Sequence, residues 1–206
     1  MAPSLLLQAS LFQASLFEEA AGSPIERIEL GPGSWVDLAR GWLPWADPLF
    51  VTLLDHLPWE QRERPMYDRV VTEPRLTAAV DPALLPVPEV ERLRTAKRDL
   101  EVRYGVPLGE PWVNLYRDGR DSVAWHGDRI GRKATHAVVA IISLGTPRPF
   151  LMRPTGGGPS QRFEVGHGDL LVMGGRSQHT HEHCVPKRAH VAGPRMSITW
   201  RWSDVP

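Results

Sequence analysis

Trp125-His126-Gly127-Asp128 places an imidazole and a carboxylate two positions apart in the chain. In extended backbone the side chains alternate, so the two groups share a face. A second imidazole is available later, in His179-Thr180-His181-Glu182-His183-Cys184-Val185-Pro186. Two ring nitrogens and one carboxylate oxygen form a 2-His-1-carboxylate set, which holds Fe(II) on one face and leaves positions open for a co-substrate and dioxygen. His126 stands out among the eight histidines because Asp128 accompanies it. His179, His181 and His183 alternate, and spacing alone does not choose among them.

The second chemical signal is Gly193-Pro194-Arg195-Met196-Ser197-Ile198-Thr199-Trp200-Arg201. If this is a strand, positions 195, 197, 199 and 201 lie in one row, two guanidiniums with two hydroxyls between them. Burying guanidinium is costly unless it meets an anion. A dicarboxylate co-substrate supplies one, since each planar fork can take a carboxylate bidentately. The alternative places both arginines on an outer face in salt bridges.

The elements that must carry these groups follow from the pattern of breakers. From Pro111 onward short β segments alternate with Gly, Pro and Asp: 112–116, 137–144, 149–153, 162–165, 169–173, 181–185 and 195–202. Such spacing predicts a sandwich or jelly roll. The stretch before it is mixed. Gly31-Pro32-Gly33-Ser34 reads as a turn, residues 47–57 as a helix with Asp47 as N-cap, 66–71 as strand-like, and 89–104 as a second helix. Helices first and strands after predict an α+β fold: a double-stranded β-helix (jelly-roll) core buttressed by helices from the N-terminal half. The expected organisation is an N-terminal arm over 1–24 and one catalytic domain over 25–206. Within it, 25–110 is helical support with a lid, and 111–203 is the core.

Composition narrows the function. With 206 residues and formal charge zero, from 24 basic and 24 acidic side chains, any nucleic-acid surface must be a local patch. The single Cys184 excludes an internal disulfide and points to a reducing, cytoplasmic setting. No apolar run approaches the ~20 residues of a membrane span, and the N-terminus lacks the basic region of a secretory signal. That N-terminus carries a tandem pentapeptide, Gln8 to Phe12 and Gln13 to Phe17. It resembles the Gln-x-x-Leu-Phe peptide by which bacterial repair proteins dock on the sliding clamp; the competing reading is a small helix on the domain.

Six ordered motifs resemble the AlkB-like Fe(II)/2-oxoglutarate dioxygenases, which act in dealkylation repair of nucleic acids. They are Asn114-Leu115-Tyr116-Arg117-Asp118-Gly119, Trp125 to Asp128, Ser143-Leu144-Gly145, Gly166-His167-Gly168-Asp169-Leu170-Leu171-Val172-Met173, His183-Cys184-Val185-Pro186 and Pro194-Arg195 to Arg201. The likeness is dense over 112–202 and loose before it. It implies Fe(II) on His126, Asp128 and His183, with 2-oxoglutarate and O2 as co-substrates. It implies contacts to 2-oxoglutarate from Asn114, Tyr116, Thr199, Arg195 and Arg201. Ser197 stands where relatives carry Asn. His167 is expected to be structural, and His179 and His181 to stand beside the ligands or in the pocket.

The activity implied is oxidative removal of alkyl groups from nucleobases in DNA or RNA, releasing formaldehyde, succinate and CO2. A base in a duplex must be flipped out to react. Met66, Tyr67, Arg75 and Arg129 are the substrate-contact candidates, with Met66 and Tyr67 where relatives carry an inserted finger. Arg62, Arg64, Arg69 and Arg75 form a cationic stripe, balanced by Glu60, Glu63, Asp68 and Glu73. Two departures matter: Arg129-Ile130 follows Asp128 where relatives are acidic, and Leu76-Thr77-Ala78-Ala79-Val80 lacks an aromatic-Gly pair. The alternatives are the same cofactor chemistry on tRNA, protein or a small molecule, and an inactive clamp-associated binding module.

Overall fold

The computed structural model describes residues 24–66, 69–128 and 137–203; the side chains of 64–66 and 69 are not described. The tandem pentapeptide, Tyr67 and Arg129 lie outside the described residues.

In chain order the elements are β1 (Glu26–Gly31), β2 (Ser34–Ala39), α1 (Ala46–His56), β3 (Glu63–Met66), β4 (Arg69–Thr72) and β5 (Leu76–Ala79). A 3-10 turn (Pro82–Leu84) leads to α2 (Val87–Tyr104), β6 (Trp112–Tyr116), β7 (Val123–His126), β8 (Val139–Gly145) and β9 (Arg148–Pro154). The chain ends with β10 (Gln161–Val165), β11 (Leu170–Gly175), the short helix α3 (Ser177–Thr180), β12 (His181–Val185) and β13 (Arg195–Arg201). Seven strands form one sheet in the order β1-β2-β11-β8-β13-β6-β5, and four form a second, β10-β9-β12-β7. β3 and β4 pair as a separate hairpin. The molecule is mostly β with few helices, consistent with a jelly-roll core.

The large sheet has two buried faces, and the strand sequences show why. In β8, Ala140, Ile142 and Leu144 join one apolar cluster, while Val139 and Ile141 join another. β11 divides in the same way, Leu170 and Val172 against Leu171 and Met173. A strand covered on both sides has no reason to alternate in polarity, so these segments read as continuous apolar runs. The first cluster also contains Leu49 and Leu53 of α1 and Leu93, Ala96 and Leu100 of α2, together with Val113, Met196, Ile198 and Trp200. The second lies between the two sheets with Phe150, Met152, Phe163, Val165 and Val185.

Two details of the helices differ from the sequence reading. α1 starts at Ala46 with Trp45 at the N-cap position and no side-chain cap, so Asp47 sits inside the first turn. There its charge faces the positive end of the helix dipole. α2 starts at Val87, two residues early, because Pro88 at the start of a helix forfeits no intrahelical hydrogen bond.

One buried cation fixes the loops around the small sheet. Arg148, wholly buried, donates to the carbonyls of Asp118, Asp121 and Pro186. Gly119 exchanges backbone hydrogen bonds with Arg188 and Val191, and a Cβ there would lie 1.7 Å from the Arg188 oxygen. The β6–β7 loop is thereby clamped to the β12–β13 loop, and β7 emerges in a fixed place. No helix among the described residues is long and apolar enough to cross a membrane.

Because Leu100 is fully buried between α2 and the large sheet, Leu100→Ala is expected to cost about 2–5 kcal/mol of stability. Urea unfolding of parent and variant measures it, and a loss under about 1 kcal/mol would mean that α2 is not packed as part of this core.

Candidate active site

β7 and β12 are antiparallel neighbours, with His183 directly opposite His126. The pairing brings the two imidazoles to 4.3 Å between ring centroids. β7 ends at His126, and Gly127 carries the chain to Asp128 just beyond the strand. The donor atoms of His126, Asp128 and His183 all lie within 4.8 Å of one another. His183 Nε2 stands 3.6 Å from Asp128 Oδ2. Two donors each ~2.1 Å from a shared ion are separated by at most about twice that distance.

The protonation states suit a metal. His126 Nδ1 lies 2.8 Å from the Ala124 carbonyl; that acceptor keeps the proton on Nδ1 and leaves Nε2 with its lone pair. Burial pushes the His183 imidazole down to about 4 against the pull of Asp128, so the ring is neutral at physiological pH. Burial alone would raise the Asp128 carboxyl, but the Arg201 guanidinium beside it holds it below its ordinary value. Asp128 Oδ1 accepts from Arg201 Nε at 2.7 Å, leaving Oδ2 toward His183. Two imidazoles and a carboxylate fit an Fe(II) ion.

Phe150 stacks on His183, ring centroids 5.1 Å apart, and restricts its rotation. The Asp128 backbone N–H donates to Gln178 Oε1 at 3.1 Å, and Gln178 Nε2 donates to Met173 Sδ at 3.4 Å. Gln178 stands in α3, five residues before His183. One amide therefore ties the loop bearing Asp128 to the segment that leads into β12.

The co-substrate candidates come from β6 and β13. The register Arg195↔Tyr116, Ser197↔Asn114 and Thr199↔Trp112 sets paired side chains on the same face. Asn114, Tyr116, Arg195, Ser197, Thr199 and Arg201 line one cavity of about 80 Å³ together with His126, Asp128 and His183. Its apolar walls are Val123, Ile141, Phe150 and Val185.

Arg195 is 1% exposed. Its Nε donates to Ser143 Oγ at 3.0 Å and its guanidinium lies 5.2 Å from the Tyr116 ring centroid. Among the described residues no carboxylate pairs with it, and burial pulls its pKa down. A buried cation without a counter-ion fits an anionic ligand. Arg201 differs, since its Nε is engaged by the Asp128 carboxylate.

The remaining candidates separate. Arg75 lines the cavity but donates through Nε to Asn114 Oδ1 at 3.1 Å and pairs with Glu73 at 2.8 Å. Met66 ends β3. His179 and His181, expected beside the ligands or in the pocket, do not line the cavity. The turn Ser177–Thr180 is helical, which breaks the alternation, and the His181 ring lies 2.8 Å from Thr180 Oγ1. His167 is structural as expected: its Nδ1 accepts from Gly145 N at 2.8 Å. Gln178 and Phe150 are site residues that the sequence reading missed, with no chemically distinctive pattern to mark them; Ser143 stood in the quoted Ser143-Leu144-Gly145 motif but was given no role. Cys184 is buried, its thiol pushed up to about 11 by burial, and is therefore protonated.

A β-sandwich holding a His-Asp-His cluster beside a buried, unpaired arginine defines an iron-dependent, keto-acid-using oxygenase. The chain belongs to the 2OG-Fe(II) oxygenase superfamily, whose family model matches residues 83–201. It is an AlkB-like member and a 2-oxoglutarate-dependent dioxygenase, with Fe(II), 2-oxoglutarate and O2 as its cofactors. It is 30% identical to human "Alpha-ketoglutarate-dependent dioxygenase alkB homolog 3" over 222 aligned positions, spanning 97% of this chain and 72% of that protein. It is 29% identical to Arabidopsis thaliana "DNA oxidative demethylase ALKBH2", spanning 84% of this chain and 68% of that one. The fold is shared with the solved structure of OsALKBH1, at a TM-score of 0.59 and 16% identity over 87% of this chain and all of the other.

Replacing Gln178 by Ala is expected to weaken metal binding about tenfold while the ligands remain. Anaerobic Co(II) titration, read by absorption, measures it. In the same assay His183→Ala should abolish binding and His179→Ala should not; the reverse pattern would overturn the reading of the cluster.

Proposed function

We propose that the protein removes alkyl groups oxidatively from nucleobases of DNA or RNA, using Fe(II) held by His126, Asp128 and His183. The observation that carries the co-substrate half is the buried Arg195, unpaired and in the same cavity as the three ligands. The substrate half is supported by the likeness to a protein named a DNA oxidative demethylase.

When bound, the iron supplies oxidation of an unactivated C–H bond with 2-oxoglutarate as the electron donor. The residues of the chain supply geometry. Arg195 receives one carboxylate of 2-oxoglutarate, with Tyr116, Asn114 and Thr199 on the same wall holding its orientation. Arg201 neutralises Asp128 from the far side, so the ligand oxygen stays aimed inward. Val123, Ile141, Phe150 and Val185 keep water from the reacting centre. An N-methyl group oxidised at carbon becomes a hemiaminal, which expels formaldehyde without needing a general acid-base pair.

Substrate contacts belong to the rim. The β3–β4 hairpin borders this region with Met66 at the end of one strand, and we assign to it, with the candidates Met66 and Tyr67, the role of a lid beside the substrate base. Arg75 bridges this region to the site through Asn114. Docking on a sliding clamp through Gln8 to Phe12 or Gln13 to Phe17 rests on the pentapeptide alone and finds no support in the comparisons.

A combined succinate and formaldehyde assay on methylated oligonucleotides tests the proposal. Both products should appear in equal amounts, and Asp128→Ala should release neither. Arg195→Ala should raise the 2-oxoglutarate concentration required, by about tenfold or more given the ~1.5–3 kcal/mol of a charge-assisted hydrogen bond. Succinate without formaldehyde across methylated DNA and RNA, together with turnover on another substrate class, would overturn the nucleobase reading and retain the dioxygenase.

A further inference from the structure

We infer that Trp112 and Arg62 form a landing for an unpaired nucleotide at the mouth of the cavity, the indole stacking on a base and the guanidinium taking its phosphate, so that the substrate strand enters single-stranded. This rests on the nucleobase reading above and adds to it a strand preference and the two residues that set it.

The placement follows from register. Trp112 lies opposite Thr199 on one side and Ala79 on the other. Paired residues share a face, and Asn114, Tyr116 and Thr199 all line the cavity. The indole is therefore the next side chain outward on the cavity's own face. Its outer neighbour in the row is Ala79, exposed and too small to cover a ring.

The chemistry of the pair separates it from the other tryptophans. Trp42 and Trp200 are wholly buried, and Trp35 stacks on Tyr104. Trp112 remains 38% exposed. The Arg62 guanidinium carbon lies 4.5 Å from its ring centroid. Arg27 and Arg153 also lie over tryptophans, but each is paired with a carboxylate, Asp37 and Glu182. Among the described residues Arg62 has no carboxylate partner. An exposed indole by itself needs no explanation. An exposed indole on the site's face, topped by an uncompensated cation, has the two features of a single-strand platform: a sequence-tolerant π surface and a backbone-seeking charge. A base within a duplex already has both faces stacked, so the landing serves an unpaired strand.

The competing role is purely structural. The Arg62 carbonyl accepts from Glu73 N, so Arg62 over Trp112 could simply clasp the root of the β3–β4 hairpin. Substitutions separate the two, because Trp112→Leu keeps apolar bulk for a clasp and removes the π face, whereas Trp112→Phe keeps a ring.

The test is fluorescence anisotropy with the full chain, Mn(II) and 2-oxoglutarate, titrated into a short fluorescein-labelled single strand and into its duplex. The parent should prefer the single strand. Trp112→Leu should weaken single-strand binding about tenfold to a hundredfold, the loss of one stacked base, and Trp112→Phe should retain most of it. Arg62→Ala should lower the slope of log affinity against log salt by about 0.7, one phosphate contact on a single strand. Binding by Trp112→Leu equal to the parent, or a parent preference for duplex, overturns the inference while leaving demethylation intact. A parent that binds and demethylates no oligonucleotide at all sinks the nucleobase reading and this inference together.

Discussion

The site depends on the register of β13. Arg195, Ser197, Thr199 and Arg201 face the cavity only because Met196, Ile198 and Trp200 are buried against the helices. A slip of one residue would turn every polar side chain of the row into an apolar layer and every apolar one into the site. The wholly buried Trp200 is the bulkiest side chain holding the strand against that slip. The neighbours β6 and β8 lock the strand on both sides over most of its length. The chemistry thus inherits its precision from packing on the opposite face of the same sheet.

Within that frame the buried charges regulate one another. Asp128 is surrounded by apolar matter that disfavours its charge, and Arg201 restores it. His183 is kept neutral by the same burial. Arg195, farther along the row, meets the hydroxyl of Ser143 and the Tyr116 ring. The carboxylate end of the site is therefore compensated internally by Arg201, while among the described residues no carboxylate reaches Arg195.

What could be read in the sequence was whatever obeyed a short period. His126 and Asp128 at a spacing of two, and the alternating row from Arg195 to Arg201, follow directly from strand geometry. The choice of His183 over His179 and His181 could not come from spacing, because the helical turn Ser177–Thr180 interrupts the alternation with no proline or glycine to announce it. β2 was hidden by Asp37, a buried carboxylate inside a strand, held by Arg27 and Tyr104. β5 was hidden by its composition, Leu-Thr-Ala-Ala, which carries little β preference. Gln178 was invisible because its importance lies in which backbone N–H it meets, a fact of tertiary structure.

The same distinction separates the part of the function fixed by family from the part this chain sets for itself. His126 sits on the edge strand β7 and Asp128 just beyond it, whereas His183 on β12 and the row on β13 sit on strands paired on both sides. Trp112 and Arg75 sit where β6 meets the four-residue edge strand β5, with the β3–β4 hairpin beyond. β5 has one open flank, so its side chains exchange more freely than those of β6, which is paired on both sides. The segment Leu76 to Val80 lacks the aromatic expected there, and the adjacent strand places an indole opposite Ala79 instead. An aromatic face can move from one strand to its neighbour across a register pair and still reach the same mouth of the cavity.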